Sequence, residues 1–232
     1  MKAVDLAAFM HERATYLTVS GGVGVDLGVP RVHFESLDTS SAVSWCRDWR
    51  AEVRMSALDG HRDAPEVVVG SVEFLLLRLG EEHPVADVLA LFGPRAVAFA
   101  ELFDGPWLEP GLDESDEFTD GMPITSVLLI LEAAIDDLLP QTYLRAWAVA
   151  EVAYTMLPGT AGVLAMQALS GGAPTPALMS ADRIDEDWPR IGCASIPGHP
   201  RFFGRATLYT YLDDARAALD GVAERVVTVP AR

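Results

Sequence analysis

The chain has 232 residues, half of them apolar and 22% charged, which excludes global disorder and allows a sizeable core in one large domain with an insertion or in two small ones. Thirty-four acids against 17 lysines and arginines give a formal charge of −17, which disfavours duplex nucleic acid and anionic membrane surfaces unless one face gathers the bases. The bases are scattered instead, as at Arg47, Arg50, Arg54, Arg78 and Arg95. No apolar run reaches the roughly 18 residues of a spanning helix, and Met1 to Asp5 carry no secretory pattern. Two cysteines, Cys46 and Cys193, cannot build a disulfide framework or a Cys-rich zinc site. The expectation is a soluble, cytoplasmic protein that binds neither nucleic acid nor membrane.

In chain order, residues 4–14 predict a short helix, with Leu6, Phe9, Met10 and Arg13 about one turn apart. Thr15 to Val19 is β-prone. Gly21-Gly22-Val23-Gly24 interrupts regular structure, and Val29-Pro30 prevents a helix. Residues 51–58 alternate and 66–79 form a long apolar run, which together predict a hairpin across the polar turn His61–Pro65. Helices are expected over 84–104, split at Gly93-Pro94, followed by an acidic, solvated loop at 109–121. Residues 126–135, apolar with little alternation, predict a central strand buried on both faces. A helix at 144–157, a strand near 161–169, a short helix over 182–190, a strand at 205–212 and a closing helix at 213–225 complete the order. Mixed β and α elements around one sheet give an α/β or α+β fold class.

From 51 to 212 this order resembles the GNAT superfamily of N-acetyltransferases. Two segments carry the resemblance: the strand and helix within Ser126–Leu157, and Trp188-Pro189-Arg190-Ile191-Gly192-Cys193, which looks like the family's Tyr-x-x-x-Gly-Phe segment before the last strands. The resemblance implies one domain over 1–232 with a mostly antiparallel central sheet flanked by helices. It would carry an N-terminal extension at 1–45 and an insertion at 84–121. It also implies a buried strand ending in a bulge, an acetyl-CoA or other acyl-CoA cofactor, a small amine substrate and a possible homodimer. The backbone of Ala133, Ala134 and Ile135 would pair with the cofactor's pantetheine arm.

The departures fall where that chemistry is most demanding. The family's phosphate loop follows Arg/Gln-x-x-Gly-x-Gly/Ala, and members of this type commonly read Arg-Gly-x-Gly-Leu-Gly, because a pyrophosphate needs bare N–H groups at a helix N-terminus. Here the loop is Leu139-Pro140-Gln141-Thr142-Tyr143-Leu144-Arg145. Gln141, Tyr143 and Arg145 stand in glycine positions. Tyr143 could fill the phosphate space, while the Arg145 guanidinium could pair with phosphate. The family's proton-donating tyrosine corresponds to Trp188, whose indole cannot serve as a general acid near neutral pH. Tyr209 and Tyr211 on the last strand, or Tyr154, are the available substitutes.

Glu132, late in the buried strand, is the candidate general base, its basicity raised by burial. The alternative is a carboxylate that caps the strand end or pairs with an arginine. Glu73 on the hairpin is a second candidate base. Two functions follow: a divergent member with altered acetyl-CoA use and a cleft given over to another ligand, a protein partner or a different reaction, or an active acyl-CoA-dependent N-acetyltransferase. Other groupings read as structural. Gly22 to Gly28 lacks the following helix of a dinucleotide loop, and His61 with Asp59 and Asp63 fits a surface turn better than a metal site.

Overall fold

A computed structural model describes residues 3–20, 24–37, 43–58, 65–113, 116–119, 121, 123–139, 143–157, 162–167, 187–207 and 209–230. It is a mixed α/β structure built on one large, mostly antiparallel sheet. The strands are β1 (Val4–Asp5), β2 (Gly24–Ser36), β3 (Cys46–Ala57), β4 (Glu66–Arg78), the short pair β5 (Phe103–Asp104) and β6 (Trp107–Leu108), β7 (Ser126–Ile135), β8 (Gly162–Gln167), β9 (Ala194–Ile196), β10 (His199–Thr207) and β11 (Val227–Pro230). Among the described residues nine of them form the main sheet, in the order β11-β2-β3-β4-β7-β8-β10-β9. β1 lies off this path, parallel to the start of β4 at Val67 and Val68. β7 and β8 are also parallel. The other neighbours run antiparallel.

The alternation expected of residues 51–58 is present from Ala51 to Ala57 of β3, and the hairpin β3–β4 pairs from Cys46↔Leu77 to Ser56↔Glu66. Residues 126–135 form β7 with the expected bounds between β4 and β8, and Val127 to Ile130 are buried because Leu128 and Ile130 face one hydrophobic layer and Val127 and Leu129 the other. Two hydrophobic layers cover the sheet. Helix α1 (Leu6–Ser20) and helix α6 (Leu144–Met156) cover one face, where Phe9, Val53, Phe74, Leu128 and Val149 meet. α6 is apolar almost all round, and its outer side is covered by α8 (Tyr209–Ala217), with Arg216 Nε donating to Glu151 at 2.8 Å.

Among the described residues the opposite face is covered at one end by the segment between β4 and β7. That segment holds α2 (Val85–Leu89), α3 (Pro94–Val97), α4 (Pro110–Asp113) and α5 (Asp116–Thr119), with 3-10 turns at 90–92 and 98–102. Its Val85, Leu89, Phe99 and Leu102 pack on Leu75, Leu77, Val127 and Leu129. The expected break lies at Gly93, whose φ of 89° suits glycine, followed by Pro94 in the first turn of α3.

Several elements differ from expectation. Thr15 to Val19 continue α1 instead of extending, because the helix is docked on the sheet by Leu6 and Phe9. Residues 1–45 supply β1, α1 and β2, and β2 is an inner strand between β11 and β3. Pro30 lies within β2, beside a register shift between Gly28 and Arg31, with Val29 at a φ of 52°. The strand expected at 205–212 is instead β10, ending at Thr207; Tyr209 and Tyr211 lie in α8, not on a strand. The closing helix is two pieces, α8 and α9 (Asp220–Ala223), and the chain returns as β11 to pair with β2. Of the short helix expected at 182–190, the described part is α7 (Asp187–Arg190).

Candidate functional site

The candidate site lies on β7 beyond its described pairing with β8. Their parallel pairing runs from Ser126↔Gly162 to Ile130↔Met166, and among the described residues it stops there. β7 continues to Ile135, where among the described residues it pairs with β4. The register against β4 shifts at this same point: Phe74 faces Ile130 while Glu73 faces Glu132, leaving Leu131 as the extra residue of a bulge. Beyond the bulge the strand is half-buried or exposed, with Ala133 and Ile135 leaning on the α6 layer and Glu132 and Ala134 facing the opposite side.

The α6 N-terminus lies after this strand. Tyr143 is its N-cap residue, in the left-handed region at φ 56° and ψ 17°, with no side-chain capping hydrogen bond. A non-glycine residue there costs on the order of 1–2 kcal/mol. The ring is held by Arg190 of α7, whose guanidinium carbon lies 3.6 Å from the ring centre and whose Nη2 donates to the phenol oxygen at 2.7 Å. Arg145, in the first turn, does not reach outward. Its Nε lies 3.2 Å from Asp187 Oδ2, a charge contact without hydrogen-bond geometry. Gln141 lies outside the described residues. Trp188 is buried in the α6 layer, and its Nε1 has no hydrogen-bond partner among the described residues. Tyr154 is on α6 beneath Arg216, 4.0 Å from the guanidinium to the ring centre.

Glu132 and Glu73 do come together, but not as a buried base. They are register partners on the sheet face away from α6, and Arg95 of α3 bridges them. Arg95 Nη1 donates to Glu132 Oε2 at 2.5 Å and lies 3.5 Å from Glu73 Oε2. The Glu132 side chain is 45% exposed, so the burial expected to raise its basicity is absent. The cause is the bulge: after Leu131 the alternation restarts, and the position turns to a face that the α2–α5 segment does not fully cover. The arginine-paired alternative is the arrangement found.

This open face carries a charged array that the sequence reading passed over as scattered bases. Ala51, Val53 and Met55 point into the α6 layer, so Arg50, Glu52 and Arg54 point the other way. By the same rule Arg31, His33 and Glu35 of β2 share their face, since Val32 and Phe34 pack against the α6 layer. Arg54 is bonded to Glu52 at 2.8 Å and lies 3.4 Å from Glu66, and Arg31 is 3.7 Å from Glu66. Arg50 differs. Its cross-strand neighbours are Glu35 and Glu73, yet among the described residues it makes no hydrogen bond or ion pair, and its Nε is buried without a partner. An unmet buried donor costs about 1–3 kcal/mol. The i, i+2 spacing of Arg50, Glu52 and Arg54 was the available signal for a charged strand face.

Among the described residues no group of three or more His, Cys, Asp or Glu is placed to hold a metal ion, and no helix is long and apolar enough to cross a membrane. The turn at His61 lies outside the described residues. Comparison with known proteins adds no identity: no family model matches the chain, and no curated protein or solved structure matches it.

Proposed function

We propose that the chain is a divergent GNAT-type protein that keeps the parallel β7–β8 pair but has altered or lost ordinary acetyl-CoA use, leaving the cleft to another ligand, a protein partner or a different reaction. The sheet order β2-β3-β4-β7-β8-β10-β9, the parallel pair at its middle and the bulge at Leu131 support the fold part of this reading. The observation that carries the functional part is Tyr143 at the N-cap of α6, stacked under Arg190. A pyrophosphate binds bare backbone N–H groups at a helix N-terminus, where side-chain bulk obstructs its approach. Arg145, the cation that could have offset the lost glycines, is turned to Asp187. These residues do not fit a coenzyme A pyrophosphate.

A second reading, an active acyl-CoA-dependent N-acetyltransferase acting on a small amine, is favoured by one feature. The Leu131 bulge and the half-exposed Ala133 to Ile135 edge are the kind of strand a pantetheine arm could pair with. In it Glu132 would serve as base through water, once released from Arg95. Calorimetric titration with acetyl-CoA and with free coenzyme A separates the two. The divergent reading expects no binding by the native chain. Micromolar binding, about −8 kcal/mol, would overturn it. Binding gained by Tyr143→Gly alone would identify Tyr143 as the plug of a former cofactor site.

A further inference from the structure

We propose that the open face of β3, β4 and β7 binds a free α-amino acid, its carboxylate on Arg50 and its ammonium on Glu73. This rests on reading the cleft region as ligand-binding and names the ligand's chemical class. Four arginines share this face, in a chain whose 17 lysines and arginines are outnumbered two to one by acids. Arg31, Arg54 and Arg95 are each paired with glutamates. Arg50 makes no pair among the described residues, although a glutamate lies opposite it on either side.

The row across the sheet reads Glu35, Arg50, Glu73, Glu132, one residue per strand. Neighbouring strands are about 4.8 Å apart, so the row alternates in sign at near-contact spacing before ending in two carboxylates. Its complement is a ligand with a carboxylate and an ammonium a short distance apart. An α-amino acid has both on one carbon. Arginine's planar fork matches a carboxylate with two parallel hydrogen bonds. A phosphate fits worse, because its extra charge would sit between Glu35 and Glu73. A simple amine leaves Arg50 unmet, and a simple carboxylate leaves Glu73 with only its 3.5 Å contact to Arg95. The position also suits function, since Glu73 is the register neighbour of Glu132, beside the β7 bulge.

The test is thermal melting of the full chain with each proteinogenic L-α-amino acid at millimolar concentration, followed by calorimetry on any that raise the midpoint. The expected result is stabilisation by at least one amino acid. Its α-amide, which lacks the carboxylate, and its deaminated acid should each bind at least about tenfold more weakly, a change of about 1.4 kcal/mol. Arg50→Gln should lose binding by a similar factor while keeping the parent's melting cooperativity, Arg50→Lys should restore part of it, and Arg31→Gln should bind as the parent does. The proposal is overturned if no amino acid shifts the midpoint, if the amide binds as well as the acid, or if a folded Arg50→Gln binds unchanged. Acetyl-CoA titration of the same samples tests the cofactor reading separately: tight coenzyme binding would refute the divergent function without bearing on the amino acid result.

Discussion

Arg190 lies over the ring of Tyr143, its guanidinium carbon 3.6 Å from the ring centre, and donates to its hydroxyl at 2.7 Å, so that α7 clamps the residue that caps α6. The clamp holds a tyrosine in a backbone conformation that glycine adopts without strain. Two opposed contributions meet at one position. The left-handed backbone costs on the order of 1–2 kcal/mol, and a partly exposed cation–π contact returns about 0.5–1 kcal/mol.

Replacing Tyr143 by glycine removes both contributions and should change stability by less than about 1 kcal/mol. Tyr143→Ala keeps the strain and loses the stack, and should be less stable than the glycine variant by about 1 kcal/mol. Urea denaturation of the three proteins measures this. An alanine variant at least as stable as the glycine variant would show that the backbone at 143 is unstrained.

The bridge from Arg95 to Glu73 and Glu132 is exposed, and its energetic role should be small. Arg95→Met leaves two carboxylates directly opposite each other across β4 and β7, a placement that destabilises by roughly 0.2–1 kcal/mol. Glu132→Gln leaves the contact of Arg95 with Glu73 in place and should be close to neutral. Raising salt should shrink the Arg95→Met deficit, because exposed charges are screened over about 8 Å at physiological ionic strength. A deficit unchanged in high salt would mean that Arg95 acts through packing.

Cys46 is buried, and burial together with the nearby Asp48 charge pushes its thiol from the ordinary 9.0 to about 12. The folded protein therefore holds the proton more tightly than the unfolded chain. This contribution to stability is complete below about pH 9 and is lost as the pH rises towards 12, with a slope of at most about 1.4 kcal/mol per pH unit. Cys46→Val removes the ionisation, so the stability gap between the two proteins should change in the variant's favour above pH 9. Alkylation of Cys46 at pH 8 should occur only on unfolding; rapid labelling of the native chain would contradict the buried, protonated state.

Gly80 turns the chain out of β4 at a φ of 79°, and a Cβ there would press into the ring of Trp107. Gly80→Ala should cost more than about 1 kcal/mol, the left-handed penalty alone. Gly105→Ala is the control, since its φ of 59° is also positive but nothing lies within 4 Å of its Cβ. The difference between the two in thermal melts reports the Trp107 contact, and equal losses would show that the ring moves aside freely.

Local pattern carried the middle of the chain. The unbroken apolar run Val127 to Leu131 could only be a strand covered on both sides, and the Gly93-Pro94 step could only divide a helix. Long-range pairing was the illegible part. Arg205 to Leu212 is β-prone locally, but Arg205 to Thr207 pair with Gly162 to Leu164 and the next turn is helix. β11, four residues at the end of the described chain, gave no local signal because its partner is β2. In the site, Glu73 and Glu132 were legible as carboxylates on adjacent strands. Their exposure was not, because it depends on one bulge residue, Leu131, that resets the facing of the positions beyond it. Arg50 and Arg95 were visible only as members of a scattered set until the register aligned them.

The antiparallel contact from Val227↔Leu27 to Pro230↔Gly24 closes the sheet with almost the last described residues against the first long strand. During synthesis, β2 can pair with β3 as soon as both have left the ribosome, but its outer edge waits for β11. Through that interval the nascent chain presents a bare strand edge running along Val25 and Leu27, and such edges recruit strands from other chains. Expression yield and inclusion-body formation should therefore respond to changes in Val227 and Val229 beyond the loss of core packing that these two buried residues supply in the finished fold.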